Sequence, residues 1–339
     1  MSKKDEPKRV DIGGQAVLEG VMMRSPEWVA LAVRRPDGSI VMKRDPWVAP
    51  AKKHKWMGLP FIRGAVSMAM MLTVGMKTLS DSAKMSGQEE EEPSKFEKWL
   101  SEKLGKSIET VVMAVAAVLA VVLSVGLFVL LPNAIIKLFP DSGSSGMLLM
   151  KNLITGLVRT VILVGYMMLC RRIPDMLRTF RYHGAEHKTV YCNEHNLELT
   201  PENAQQFTTL HPRCGTSFIL ITFILSIIFY SIIDVLVLII TGYNMGNSSL
   251  LRVLSRIVLL PLVAGISYEA LFFLAHHEGK TCDILRKPGM QLQRLTTAEP
   301  DASMLEVAIA AMKAAKGEPM EGEVTPEGYV IVSPAKENA

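Results

Sequence analysis

Apolar positions in this chain gather into long blocks, while polar and charged positions collect between them. Ile108 to Leu131 carries a single charge, Glu109, and reads as the clearest membrane span. A second block near Asn152 to Cys170 is broken by Arg159. A third, Thr216 to Ile240, contains Asp234 near its far end, and a fourth, Leu254 to Ala275, contains Arg256 and Glu269. The segment LPFIRGAVSMAMMLTVGMKTL is also apolar but holds Arg63 and Lys77. We read it as an interfacial or re-entrant helix, because a further span would carry the basic run Lys52, Lys53, His54, Lys55 outside. Two different patterns flank the membrane blocks. Residues 27 to 44, WVALAVRRPDGSIVMKRD, set two Val- and Ile-rich runs about a Pro-Asp-Gly turn and predict a β-hairpin. DASMLEVAIAAMKAA in the tail predicts a soluble helix capped by Asp301, followed by a Pro- and Gly-punctuated end expected to be disordered.

The expected fold is therefore an α-helical polytopic membrane protein, with four transmembrane helices, one interfacial or re-entrant helix and a small N-terminal β-containing cytoplasmic domain. Its divisions are a hairpin-containing region over 1–56, the interfacial or re-entrant helix over 57–79 and a charged linker over 80–107. A membrane domain over 108–275 then carries a His- and Cys-rich loop at 171–215, and a cytoplasmic tail runs over 276–339. Basic residues cluster at 95 to 106, 171 to 188 and 280 to 294 and are sparse in the two other inter-span loops, which places both termini in the cytoplasm. A bacterial inner membrane is the expected location. The polar opening MSKKDEPKRVDIGGQ has no apolar core or cleavage site of a secretory signal.

Composition adds two exclusions and one opening. The net charge of +4 over 339 residues gives no case for nucleic acid. The lipid bilayer is the expected partner, with a membrane protein, a peptide or a second copy of the chain as further candidates. Met-rich stretches such as MAMMLTVGM belong to packing or lipid contact, since no second thioether cluster accompanies them. The four cysteines, Cys170, Cys192, Cys214 and Cys282, show no disulfide framework and in a reducing cytosol are open to metal.

The predicted topology brings six of the seven histidines to one face of the membrane. Within RYHGAEHKTVYCNEH, residues His183, Glu186 and His187 form HxxEH. On a helix two histidines spaced i, i+4 share a face and can bind one ion, with the glutamate beside them as general base, the inverted zincin arrangement. Gly184 weakens such a helix by roughly 1 kcal/mol relative to Ala, so a turn is the alternative. The third ligand is open among His211, Cys214, Glu269, His276 and His277. Closure by four residues, for example His183, His187, His211 and Cys214, would make the metal structural and Glu186 a mere neighbour. Surface histidines that solvate a basic loop are the competing reading. An ion pair between Glu269 and Arg159 is geometrically allowed within the spans, as a packing pair or with a catalytic or substrate role, and Asp234 and Arg256 near the outer ends read as a structural pair or as snorkelling side chains. GGQAVLEGVMMRSP offers Glu19 and Arg24 as residues that could shape the site, without any phosphate-loop or dinucleotide fingerprint.

GGQAVLEGVMMRSP, RGAVSMAMMLTVGMKTL, RYHGAEHKTVYCNEH, LTPENAQQFTTLHPRCGTSF and PGMQLQRLTTAEPD together resemble the YqhQ family of uncharacterised bacterial multi-pass membrane proteins. The likeness runs from about residue 11 to 315. It implies a metal-dependent enzyme of unnamed substrate, with a metal at the histidine-rich segment. The family pattern falls on Glu19, Arg24, His183, Glu186, His187, Cys192, His195, His211, Arg213 and Cys214.

Two functions follow. One is a metal-dependent hydrolase acting on a membrane-associated substrate, with a divalent transition metal, zinc foremost, and Glu186 as base. The other is a non-catalytic scaffold or membrane-protein biogenesis accessory folded around a structural metal. Transport through Arg159 and Glu269 is disfavoured, because four spans show neither repeats nor broken-helix pairs.

Overall fold

A computed structural model describes residues 12–87, 96, 99, 103, 108–139, 144–245, 248–277 and 279–332. The polar opening up to residue 11, the acidic run at 89–92 and the lysines at 95, 98 and 106 lie outside the described residues. Two compact units are formed, one from Met1–Gln88, Met167–Leu225 and Ile257–Ala339, the other from Glu89–Tyr166 and Ser226–Arg256.

The first unit rests on an antiparallel sheet of β1 (Gly13–Val17), β2 (Gly20–Arg24), β3 (Trp28–Arg34), β4 (Ile40–Pro46), β5 (Glu323–Val324) and β6 (Val330–Val332). Their order is β1-β2-β3-β4-β6-β5. The expected hairpin is β3–β4, with Arg34 opposite Ile40. Its turn uses Gly38 at φ 84°, and Asp37 Oδ1 accepts from the Ser39 amide at 2.9 Å. The turn from β1 to β2 places Glu19 in the left-handed region at φ 53°. Gly20 next to it allows close strand approach, since a Cβ there would stand 2.2 Å from the Ala32 carbonyl oxygen.

Alternate side chains of these strands enter two different cores, because successive residues of a strand point to opposite faces. Val21, Met23, Ala30, Ala32 and Met42 pack with α4 (Pro174–Glu194) and α9 (Ala302–Ala315), whose Tyr182, Ala185, Met304, Leu305 and Met312 are fully buried. Met22, Leu31, Val33 and Val41 form the second core with Met85 and Val74 of α1 (Ile62–Met85). A sheet covered on both faces wants apolar residues at every position, which is why β2 and β3 read as continuous apolar runs.

Two expectations change here. The segment 171–215 is mainly helical, being α4, a short α5 (Pro201–Gln205) and the lead into α6 (Gly215–Thr241). The tail does not end in disorder at its described positions, for Val330 to Val332 pair with Met42 to Ile40 and extend the N-terminal sheet. The amphipathic tail helix is indeed capped by Asp301, which accepts from the Met304 amide at 3.0 Å, but most of it is core.

α1 is one unbroken helix reaching six residues beyond the expected boundary at 79. It meets α7 (Ser249–His276) through glycines: a Cβ on Gly64 would stand 2.8 Å from the Gly265 Cα. Beside that contact Arg63 binds Glu269 by both carboxylate oxygens, at 2.7 and 2.6 Å. Glu269 therefore pairs with Arg63, not with Arg159, the pairing that the span order allowed. α8 (Lys280–Thr296) completes this unit.

The second unit contains α2, α3 (Ser145–Cys170) up to Tyr166, and the parts of α6 and α7 from Ser226 to Arg256. α2 runs from Ile108–Val125 through a π-helical turn at Gly126–Leu130 into Leu131–Ile136. The widened turn falls next to Pro132, which has no amide to continue the helical ladder. Asp234 on α6 is fully buried and accepts from Asn152 at 3.0 Å and Arg256 at 2.6 Å, with Arg252 at 3.5 Å. The expected Asp234–Arg256 pair is thus present. Gly156 lets α3 and α6 touch, since a Cβ would meet Ile227 at 2.5 Å.

Among the described residues, four helical stretches are long and apolar enough to cross a membrane: Ala114–Ile136, Ser145–Cys170, Gly215–Thr241 and Leu250–Leu274. The shortest, 23 residues, spans roughly 35 Å at 1.5 Å per residue, against a hydrocarbon core of about 30 Å. Large apolar side chains such as Val118, Leu119, Leu157, Ile240 and Val258 face outward along them, as lipid contact requires.

Asp234→Asn should destabilise the second unit by about 3–5 kcal/mol, because two arginines lose their buried counter-charge. Thermal unfolding in detergent, compared with wild type, checks this; an unchanged midpoint contradicts the pairing.

Candidate metal centre

HxxEH lies on the continuous helix α4, so the i, i+4 geometry holds and His183 and His187 stand side by side with ring centroids 4.5 Å apart. Gly184 sits between them where the chain entering α9 crosses the helix. A Cβ at that position would come 2.1 Å from the Ala298 carbonyl oxygen. The Ala298 amide then donates to the Phe180 carbonyl at 2.9 Å, which docks residues 296–298 on α4. Glycine costs the helix some propensity and in return permits this crossing.

The crossing supplies one of two main-chain acceptors that orient the imidazoles. His183 Nδ1 lies 2.8 Å from the Thr296 carbonyl, and His187 Nδ1 lies 2.5 Å from the Thr209 carbonyl. A carbonyl oxygen only accepts, so in each neutral ring Nδ1 carries the proton and Nε2 presents its lone pair. Those Nε2 atoms converge on Cys214. His183 Nε2 is 3.2 Å from Cys214 Sγ, and the three donor atoms of His183, His187 and Cys214 all lie within 4.8 Å of one another. His187 Nε2 is buried and has no hydrogen-bond partner among the described residues. Burial holds the His187 imidazole below its ordinary pKa, keeping it neutral as a ligand must be.

Cys214 is placed by the loop that enters α6. Thr216 donates its amide to Cys214 Sγ at 3.4 Å, and its hydroxyl lies 3.1 Å from the same sulfur. Gln293 of α8 clamps this loop: its Oε1 accepts from the His211 amide at 2.8 Å, and its Nε2 donates to the His211 carbonyl at 2.7 Å and to Ser217 Oγ at 2.8 Å.

Glu186 points from α4 toward β1. It is buried, and its Oε2 lies 3.4 Å from His187 Nε2. The Gly14 amide faces its carboxylate, and a Cβ on Gly14 would stand 2.7 Å from its Cγ. Burial pushes the Glu186 carboxyl above the usual carboxylate range, against the opposing pull of His183, His211 and Gly14. The glycine pair that opens the first strand thus makes room for the carboxylate of the motif.

His211 is arranged differently from the other two histidines. Its Nδ1 accepts from the Arg213 amide at 3.3 Å, which leaves the proton on Nε2. Nε2 lies 3.3 Å from Glu194 Oε1, although not aligned for a hydrogen bond. Glu194 also binds the Arg213 guanidinium. Burial alone would raise the Glu194 carboxyl, but His211 and Arg213 outweigh it and hold it below the usual range. The His211 ring remains next to the cluster, 5.6 Å from that of His187.

The other candidate residues lie outside the cluster. Glu19 does reach α4, where its Oε1 accepts from Arg178 Nε at 2.5 Å and its Oε2 is 3.4 Å from Tyr182 Oη. Arg24 lies over the Trp47 ring. The Cys192 thiol donates to the Glu198 carbonyl at 3.4 Å, and burial raises its pKa. His195 bonds the Tyr191 carbonyl in the last turn of α4, and His276 is the final residue of α7. Glu194, Gln293 and the carbonyls of Thr209 and Thr296 were not anticipated. A buried glutamine that binds main chain leaves no local pattern, although Gln293 lies within the block PGMQLQRLTTAEPD.

The three donors suit a borderline-soft divalent ion. Tetrahedral zinc bonds of about 2.0–2.3 Å place ligands roughly 3.3–3.8 Å apart. The 3.2 Å between His183 and Cys214 falls just short of this and would open slightly, while the widest separation, up to 4.8 Å, would have to contract. Orientation of metal-binding imidazoles by Nδ1–H bonds to carbonyls is a recurrent requirement of such sites.

Residues 59–318 match the family described as "Protein of unknown function (DUF1385)". A relative from Bacillus subtilis (strain 168), "Uncharacterized protein YqhQ", is 35% identical over 314 residues, covering 91% of this chain and 92% of the relative. No solved structure matches the chain.

Gly184→Ala should lower stability by about 1–3 kcal/mol, since the overpacking at the Ala298 carbonyl exceeds the roughly 1 kcal/mol that alanine adds to helix propensity. Denaturant or thermal unfolding of the two proteins side by side checks this; a stabilised variant would refute the close approach.

Proposed function

The chain belongs to the DUF1385 family of unknown function, and we propose that it is a multi-pass membrane protein whose His183, His187 and Cys214 hold a divalent transition metal, zinc foremost, as a hydrolase acting on a membrane-associated substrate. The observation that carries this reading is that two imidazoles, each fixed by an Nδ1–H bond to a main-chain carbonyl, turn their Nε2 atoms toward one cysteine sulfur. Bound there, the ion would supply Lewis acidity and three protein ligands would leave a further position for water or substrate. Glu186 is the residue placed to move a proton. Its Oε2 lies next to His187 Nε2, and burial has already raised its proton affinity. His183, the partly exposed member of the cluster, marks the side from which a substrate would approach.

The orientation that goes with this reading puts both termini and the metal centre in the cytoplasm of a bacterium. Arg171, Arg172, Arg178 and Arg181 after the second span and Lys280, Arg286 and Lys287 after the fourth support it. So do the four cysteines, all free thiols. α1 fits an interfacial helix, because one face packs on the sheet while Met71, Leu72, Met76 and Leu79 face outward.

The second reading, a scaffold with a structural metal, draws on the depth of Glu186 and on His211 beside the cluster. A turn of the His211 ring toward His187 would give a closed four-ligand shell. Metal analysis by inductively coupled plasma mass spectrometry separates the cases. Wild type should carry about one zinc per chain, and His187→Ala and Cys214→Ser should lose it. His211→Ala and Glu186→Gln should keep it, and Glu186→Gln should lower the cellular activity of the gene by at least about 100-fold if Glu186 is a general base. Loss of metal in His211→Ala, with full function in Glu186→Gln, would establish the scaffold instead; no metal in wild type after reconstitution would refute both.

A further inference from the structure

The second unit holds a separate cluster that the metal centre does not use. Arg252 and Arg256 of α7 gather around Asp234, the one carboxylate that pairs with them among the described residues, and Arg159 of α3 lies within electrostatic range of both. Arg256 and Arg252 share its Oδ2, which also accepts from Asn152, and Arg252 Nη2 donates to Asn152 Oδ1 at 2.8 Å. Arg159 forms no ion pair among the described residues and lies within electrostatic range of both other arginines. The Tyr230 ring lies 4.5 Å from the Arg256 guanidinium, and its hydroxyl donates to the Arg256 carbonyl.

Three guanidinium groups share one carboxylate, which faces only two of them, so the cluster has an excess of two positive charges inside helices long and apolar enough to cross a membrane. Unpaired charge in such a place is unfavourable, and the usual solution is a counter-ion. Buried donors are also left over: Arg159 Nε, Arg252 Nε and Arg256 Nη1 have no hydrogen-bond partner among the described residues. Guanidinium groups offering fixed, unspent N–H bonds match the oxygens of a phosphate. Arg252 and Arg256 fall within the first two turns of α7, about the level of lipid headgroups, and Asn152 and Asp234 lie about two turns from the ends of their own helices. Arg159 is two turns, roughly 10 Å, deeper and sits near the middle of α3.

We propose that Arg159, Arg252 and Arg256 form a phosphate-binding site, with Asp234 and Asn152 holding Arg252 and Arg256 in place. The occupant is a phosphate monoester or diester, supplied either by an anionic phospholipid headgroup or as a free anion.

The test is thermal unfolding of the full-length protein in nanodiscs of phosphatidylcholine alone, the same with one quarter phosphatidylglycerol, and phosphatidylcholine with inorganic phosphate at constant ionic strength. Phosphatidylglycerol should raise the midpoint by several degrees, and Arg159→Met should abolish that rise. In phosphatidylcholine alone Arg159→Met should unfold no lower than wild type, because it removes an uncompensated charge; a merely structural arginine would give a lower midpoint. A rise given equally by inorganic phosphate and lost in Arg159→Met would support the site with a free anion as its source. Absence of any rise, or an equal rise in Arg159→Met, would overturn the proposal. Should that variant not fold, native mass spectrometry of wild type decides: retention of phosphatidylglycerol over phosphatidylcholine, weakened in Arg256→Lys, supports the site, and equal retention of the two lipids overturns it.

Discussion

The approach of the Ala298 carbonyl to Gly184 is the constraint on which the histidine cluster depends. A helix that presents two imidazoles to a metal needs something to fix each ring about its χ2, and a hydrogen bond from Nδ1 is the economical means. For His183 that acceptor is Thr296, two residues before Ala298, and it comes within reach only because the chain can lie directly on α4 at a position without a side chain. The same crossing delivers Thr297, whose hydroxyl lies 3.4 Å from that of Thr209, the residue whose carbonyl orients His187. It also leads the chain into α9, the central helix of the larger core. One close contact therefore couples site geometry to the packing of the sheet.

The site is assembled from four parts of the chain, each held by a different interaction. α4 contributes the motif, and the loop before α6 contributes Cys214. α8 contributes Gln293, which satisfies both main-chain groups of His211 and so sets the path of the loop. β1 contributes Gly14, whose missing side chain accommodates Glu186. A buried carboxyl without partners would be costly, and the Gly14 amide is what the sheet offers it. The N-terminal sheet is thus more than an appendage to a membrane protein, since it forms one wall of the cluster. The tail closes the same sheet through β6, so the two ends of the chain meet around the middle segment.

How much of this could be read from residues alone depends on the range of the interactions. The four apolar helices, the β3–β4 hairpin, the Asp301 cap and HxxEH are encoded within a few residues or one apolar block, and each was legible. Cys214 was legible at one remove, since the span order brings HPRC near α4. Gly184 was legible but carried the wrong sign: as a local signal it weakens a helix, and its value appears only with the crossing chain. Arg159 was an allowed partner for Glu269 because both are charges in apolar blocks, whereas Arg63 reaches it through a glycine contact between helices far apart in sequence. β6 was illegible because three residues gain strand character only by pairing with β4. The roles of Thr209 and Thr296 were out of reach in principle, as any residue can supply a carbonyl.

The different protonation of the histidines bears on what the cluster can become. His183 and His187 both hold their proton on Nδ1, so their free lone pairs converge. His211 holds its own on Nε2, because Arg213 and the loop occupy Nδ1. Recruiting His211 as a fourth ligand would therefore require the Arg213 amide to be released and Glu194 to give up its imidazole neighbour while keeping Arg213. That rearrangement would cost the Arg213 hydrogen bond and the contact with Glu194, whereas a three-ligand site asks only for small adjustments of donors already aimed at one another. On this ground the fixed tautomers favour a centre of two histidines and one cysteine with a position left open, and with it the reading in which Glu186 has chemistry to perform.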